Sequence, residues 1–121
     1  MNTRSKILAA STALSRPAIL VTGYFDLLRA EDARQLADVS NRRPGALLVV
    51  AIRGTGELLD TGARAELVAA VRVVDYVLTV HDEDLDGLIE RLKPVEVVHL
   101  ERADLLRTRR LIEDAPRGKA G

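Results

Sequence analysis

Cysteine is absent from the chain, which excludes disulfides, thiol nucleophiles and cysteine-bound zinc. Aromatic side chains are nearly absent too: Tyr24, Phe25 and Tyr76 are all there are, with no tryptophan. A core must therefore be built from Leu, Val, Ile and Ala, and the stacking platforms that grip single-stranded nucleic acid are missing. Charge of one sign is also lacking. Eighteen basic residues balance eighteen acidic ones, so nothing in the overall charge points to DNA or RNA. The histidines are His81 and His99, too few to hold a metal without carboxylates at positions that the sequence does not mark.

No run approaches the roughly 20 apolar residues of a membrane-spanning helix. Arg4 and Lys6 precede the apolar stretch Ile7 to Leu14, as in a signal peptide, but Ser11 and Thr12 interrupt it and Arg16 and Pro17 follow. An amphipathic first helix in a cytoplasmic, membrane-free domain is the expectation. A length of 121 residues fits one domain, read here as residues 1–114, with a frayed tail from Ala115 to Gly121.

What is present alternates. Ala18–Thr22, Ala46–Ile52, Tyr76–Val80 and Val95–Leu100 are short apolar runs rich in β-branched residues, suited to strands covered on both faces. Helical periodicity fills the intervals. It spans Glu31–Val39, then Ala63–Val73 with Leu67 and Val68 inward and Arg64 outward, then Asp84–Leu92, and finally Asp104–Glu113 with a basic side. Strand and helix alternating in this way predict an α/β domain of βαβ units with right-handed crossovers.

Ligands of such sheets sit beyond the carboxyl ends of the strands. The first strand runs into Thr22-Gly23-Tyr24-Phe25-Asp26-Leu27-Leu28-Arg29-Ala30-Glu31-Asp32. Gly23 allows close approach of a phosphate, and the following helix offers unpaired N–H groups. This segment resembles the G-x-F-D-x-x-H-x-G-H motif of the cytidylyltransferase-like nucleotidyltransferases, especially heptose-phosphate adenylyltransferases and glycerol-phosphate cytidylyltransferases. Gly23, Phe25 and Asp26 match it. Arg64-Ala65-Glu66-Leu67, Val74-Asp75-Tyr76-Val77 and Leu92-Lys93-Pro94 resemble further family segments, so that the likeness covers Ala18 to Leu100.

The resemblance implies a Rossmann-like sheet of order 3-2-1-4, with room for a fifth strand and helices on both faces. It also implies a site for magnesium with ATP or CTP, a nucleotide or sugar phosphate as ligand, and a homodimer or another protein partner. The nucleotide-binding candidates are Thr22, Gly23, Tyr24, Phe25, Asp26, Arg29, Asp32 and His99. No residue is assigned to catalysis or to a metal.

The departures are informative. Arg29 and Asp32 stand where the family has the histidines that hold the triphosphate, and Glu31 replaces the glycine between them. Arg53-Gly54-Thr55 replaces an N-S-D-like turn, and His99-Leu100 replaces Lys-Gly. Acidic residues in a first helical turn have their own purpose, since the helix dipole stabilises them by about 0.3–1 kcal/mol each. A degenerate domain that has lost nucleotidyl transfer is therefore the expectation, with residual ligand or partner binding. The alternatives are an active enzyme in which Arg29 and His99 serve, and a structural or oligomerisation module. The acidic loop His81-Asp82-Glu83-Asp84 reads as a solvated helix start.

Overall fold

Four apolar runs pair into one parallel sheet in the computed structural model, which describes residues 3–8, 14–25, 28–53 and 61–101. The strands are β1 (Ala18–Gly23), β2 (Leu47–Arg53), β3 (Tyr76–Val80) and β4 (Glu96–His99), in the order β3-β2-β1-β4. The helices are α1 (Ala30–Asn41), α2 (Thr61–Ala69) and α3 (Leu85–Leu92). This is the expected Rossmann-like α/β arrangement. Among the described residues the sheet has four strands; the helix read at Asp104–Glu113 and the tail Ala115–Gly121 lie outside them.

Handedness decides which face each helix covers. Steps from β1 to β2 and from β2 to β3 run in one direction, and a right-handed crossover places α1 and α2 on the same face. The step from β3 back to β4 reverses direction, so the same handedness places α3 on the other face. The cores agree. Ile19, Val21, Leu48, Val50, Ile52 and Val77 meet Leu36 and Val39 of α1 and Ala65, Val68 and Ala69 of α2. Ala18, Leu20, Leu47, Val49, Ala51, Leu78 and Val80 meet Leu88 of α3. Alternate residues of each strand thus serve opposite cores, which is why the strands read as unbroken apolar runs.

Two departures from the sequence reading have clear causes. The expected helix at Ile7–Leu14 does not begin as one: Ile7 forms a parallel bridge with Val77, and the Leu8 N–H donates to the Val77 carbonyl at 2.8 Å. β3 is an edge strand with unpaired backbone groups, and this segment covers part of it. Ile7 packs against the α1–α2 core and Leu8 against the α3 core, a strand's alternation rather than a helix's. Residues 9–13 lie outside the described residues.

The second departure is the rotation of α2. Arg64 is 1% exposed and Leu67 is 42% exposed, the reverse of the expectation. Ala65, Val68 and Ala69 form the inward stripe, and the two alanines let the helix lie close to the sheet. The helix also ends at Ala69, short of Val73. The chain continues in i to i+3 turns, with Val71 N–H on Val68 and Val74 N–H on Val71. The β-branched run Val71, Val73 and Val74 favours leaving the helix there.

Helix α3 follows a 3₁₀ turn at Asp82–Asp84 and closes on Lys93 in the left-handed conformation (φ 47°). The Lys93 N–H returns to the Ile89 carbonyl at 2.9 Å, and Pro94 prevents continuation.

Candidate functional site

Because α1, which follows β1, and α3, which precedes β4, cover opposite faces, the carboxyl ends of these neighbouring strands are where a ligand crevice is expected in such a sheet. The register pairs Thr22 of β1 directly with His99 of β4. Strand parity puts Thr22, Arg53 and His99 on the α3 side of the sheet, together with Leu20, Ala51 and Val97. Three polar side chains therefore replace the apolar series at the carboxyl edge of one face.

They form one network. The buried Thr22 hydroxyl lies 2.6 Å from His99 Nδ1 and donates to Glu101 Oε2 at 2.7 Å. A hydroxyl has a single proton. With that proton given to the carboxylate, Oγ1 accepts from His99 Nδ1–H, and the lone pair of the neutral ring falls on Nε2. Glu101 Oε1 lies 3.8 Å from the same Nδ1. The His99 side chain is 58% exposed, so its ring stands open to solvent at the carboxyl edge.

Arg53 extends the network across the sheet. Its Nε donates to Asp82 Oδ1 at 2.8 Å and its Nη1 to Glu101 Oε2 at 3.0 Å. Its guanidinium lies 5.5 Å from the centre of the Tyr24 ring. The hydrogen bond to Asp82, followed by the bond to Glu101, raises the Arg53 pKa further above its ordinary value, against the opposing effect of burial. From the opposite face, Arg64 Nη1 donates to the Tyr24 carbonyl at 2.6 Å and to the Arg53 carbonyl at 3.0 Å, tying the ends of β1 and β2 together.

The second part of the candidate site is the start of α1. Asp32 is 4% exposed, and its Oδ2 accepts the Arg29 backbone N–H at 2.8 Å. Its own N–H donates to the Arg29 carbonyl at 3.0 Å. The carboxylate thus sits in the first turn as the helix's own anion. The Arg29 side chain reaches Glu31 at 3.5 Å, an exposed pair that contributes little.

Of the residues named from sequence, Thr22 and His99 are brought into direct contact, with Tyr24 joined through Arg53. Gly23 ends β1 opposite Ile52. Phe25, at φ 55°, is 1% exposed and belongs to the α1–α2 core. Arg29 and Asp32 are joined at the start of α1. Asp26 lies outside the described residues.

Arg53, Arg64, Asp82 and Glu101 belong to the network although no motif in the sequence marks them as its members. The available signal was parity: Arg53 and His99 are polar residues closing otherwise apolar strands on one face. Among the described residues, no group of three or more histidines and carboxylates is placed to hold a metal ion.

No protein-family model matches the chain. The bifunctional protein HldE of Trichlorobacter lovleyi is 32% identical over 100 residues, covering 74% of this chain. The chain is a distant homologue of HldE-like proteins. The match spans 20% of that protein's length. The lipopolysaccharide core biosynthesis protein of Thermoplasma volcanium GSS1 superposes with a TM-score of 0.61 at 19% identity, over 82% of this chain and 90% of its own. That likeness is one of fold, with the same Rossmann-like character. Homology and fold together fit a nucleotidyltransferase-like superfamily without singling out a member of it. No described helix is long and apolar enough to cross a membrane.

Proposed function

We propose that this chain is a nucleotidyltransferase-like domain that has lost nucleotidyl transfer and keeps, at its carboxyl edge, a crevice for a nucleotide or sugar phosphate. The observation that carries the reading is the buried Asp32 carboxylate, 2.8 Å from the Arg29 N–H in the first turn of α1. In the family this chain resembles, a histidine at that position helps to hold the triphosphate. Here the helix start is already supplied with an anion. Two like charges about 4 Å apart repel by roughly 4 kcal/mol at an effective dielectric near 20, enough to oppose a phosphate entering beside Asp32. Among the described residues, magnesium, which the resemblance implies as the companion of ATP or CTP, meets no ready carboxylate pair at this edge, because Asp82 and Glu101 both accept from Arg53.

One observation favours a second reading, an active enzyme with a rearranged site. His99 is oriented by Thr22 and Glu101 with Nε2 left as an acceptor, as a general base would be. The two readings separate on thermal unfolding with magnesium-ATP and magnesium-CTP. The triple variant Arg29→His, Glu31→Gly, Asp32→His should gain nucleotide-dependent stabilisation over the parent chain. A ligand at 100 times its Kd adds about 2.7 kcal/mol. Strong stabilisation of the parent with no gain in the variant would contradict the loss of the triphosphate site.

A further inference from the structure

A separate concavity lies at the other end of the sheet. A cleft of about 620 Å³ opens at the amino edge of β2 and β3, lined by Lys6, Arg16, Leu47, Arg72, Asp75 and Tyr76 among others. Four separate segments build it: the N-terminal 3₁₀ turn, the approach to β1, the start of β2 and the turn from α2 into β3. The bridge from Ile7 to Val77 fixes the first of these against the sheet.

Its charge differs from that of the carboxyl edge. Three cations face one carboxylate, whereas at the carboxyl edge Arg53 is outnumbered by Asp82 and Glu101. Asp75 is already committed: its Oδ2 accepts the Leu48 N–H at 2.8 Å, and its N–H donates to the Leu48 carbonyl at 2.9 Å. Lys6 Nζ donates to the Val71 carbonyl at 3.2 Å, which pins the ammonium at the rim and leaves two of its three donors. Arg16 and Arg72 are exposed, and among the described residues neither has a hydrogen-bond or ion-pair partner. Two forked guanidinium groups and a fixed ammonium around one cleft match the chemistry of a phosphate chain.

We propose that this amino-edge cleft is a second anion site, which takes a di- or triphosphate group through Lys6, Arg16 and Arg72. It is separate from the Thr22–His99 crevice and stands whether or not that crevice binds a nucleotide.

The test is a ¹⁵N–¹H shift titration with sodium pyrophosphate, and separately with ATP, both without magnesium. The expected result is saturable shifts at the amides of Leu47, Arg72, Asp75 and Tyr76. The double variant Arg16→Gln, Arg72→Gln should weaken binding by at least about tenfold, because charge-assisted bonds are lost from both guanidinium groups. Both residues are exposed, so the variant should keep a dispersed spectrum. ATP binding no tighter than pyrophosphate would mean that the cleft reads the phosphate chain alone; tighter binding would add a contact to the nucleoside. Shifts centred on Gly23, Arg53 and His99, shifts that do not saturate, or unchanged affinity in the double variant would each overturn the proposal.

Discussion

Replacing Asp32 by asparagine should move stability and anion affinity in opposite directions. The carboxylate is 4% exposed and accepts the Arg29 N–H at 2.8 Å in the first turn of a 12-residue helix. A hydrogen bond to a charged group contributes about 1.5–3 kcal/mol and a neutral one about 0.5–1.5. The dipole of α1 adds about 0.3–1 kcal/mol to an anion at this end. Asparagine keeps an acceptor oxygen but loses the charge, so Asp32→Asn should cost about 1–2 kcal/mol. For a domain of this size that lowers Tm by about 4–8 °C. Removal of the charge also removes the repulsion that faces an incoming phosphate, so sodium triphosphate should bind the variant more tightly near the Arg29 and Asp32 amides. Calorimetric unfolding and a shift titration read the two effects separately. A variant as stable as the parent, or one that is less stable but has no greater affinity for triphosphate, would refute the reasoning.

Other consequences follow from the same geometry. Arg64→Met removes the two bonds that Arg64 gives to the Tyr24 and Arg53 carbonyls and should cost about 2–4 kcal/mol in denaturant unfolding, with Arg64→Lys recovering only part; a change below about 0.5 kcal/mol would refute the bracing role. Thr22→Val removes the hydroxyl between His99 and Glu101, so long-range ¹⁵N spectra should show the Nδ1–H tautomer of His99 in the parent and lose it in the variant. An unchanged tautomer would mean that something else orients the ring. Glu96 joins β4 to the chain following α1, accepting from Arg42 at 2.7 Å and Arg43 at 3.1 Å. These bonds, Arg42 first, hold its pKa below the ordinary 4.5. A lowered native pKa gives stability that is fully present above the ordinary value and lost as pH falls through the lowered one. The advantage of the parent over Glu96→Gln should therefore be constant near neutrality and vanish in acid; an advantage that grew on acidification would have the wrong sign.

The sheet was legible because its strands are covered on both faces and so appear as bare apolar runs; Tyr76–Val80 is found with the bounds read from sequence. Order and the two-sided helices followed from the family resemblance and from crossover handedness. The rotation of α2 was not legible. With Ala65, Ala69 and Ala70 available, its periodicity accommodates either face, and Arg64 is drawn inward by carbonyls that belong to two other segments. The first residues read as helical because Ile7 and Leu8 suit either geometry, and only the open edge of β3 decides between them. At the site, Thr22 and His99 could be named because both lie at the carboxyl end of a strand, and Asp32 could be read as a helix anion from its position alone. The bridge from Arg53 to Glu101 spans 48 residues, and no local pattern records such a pair.

On the proposed reading, the nucleotidyltransferase-like fold persists here without nucleotidyl transfer. The most direct test of that reading is pyrophosphate release from magnesium-ATP and magnesium-CTP across a broad panel of phosphosugars and phosphoalcohols. No release above the protein-free rate is expected with any acceptor. Acceptor-dependent, magnesium-dependent release that is abolished by His99→Gln would contradict it and establish the rearranged active site instead.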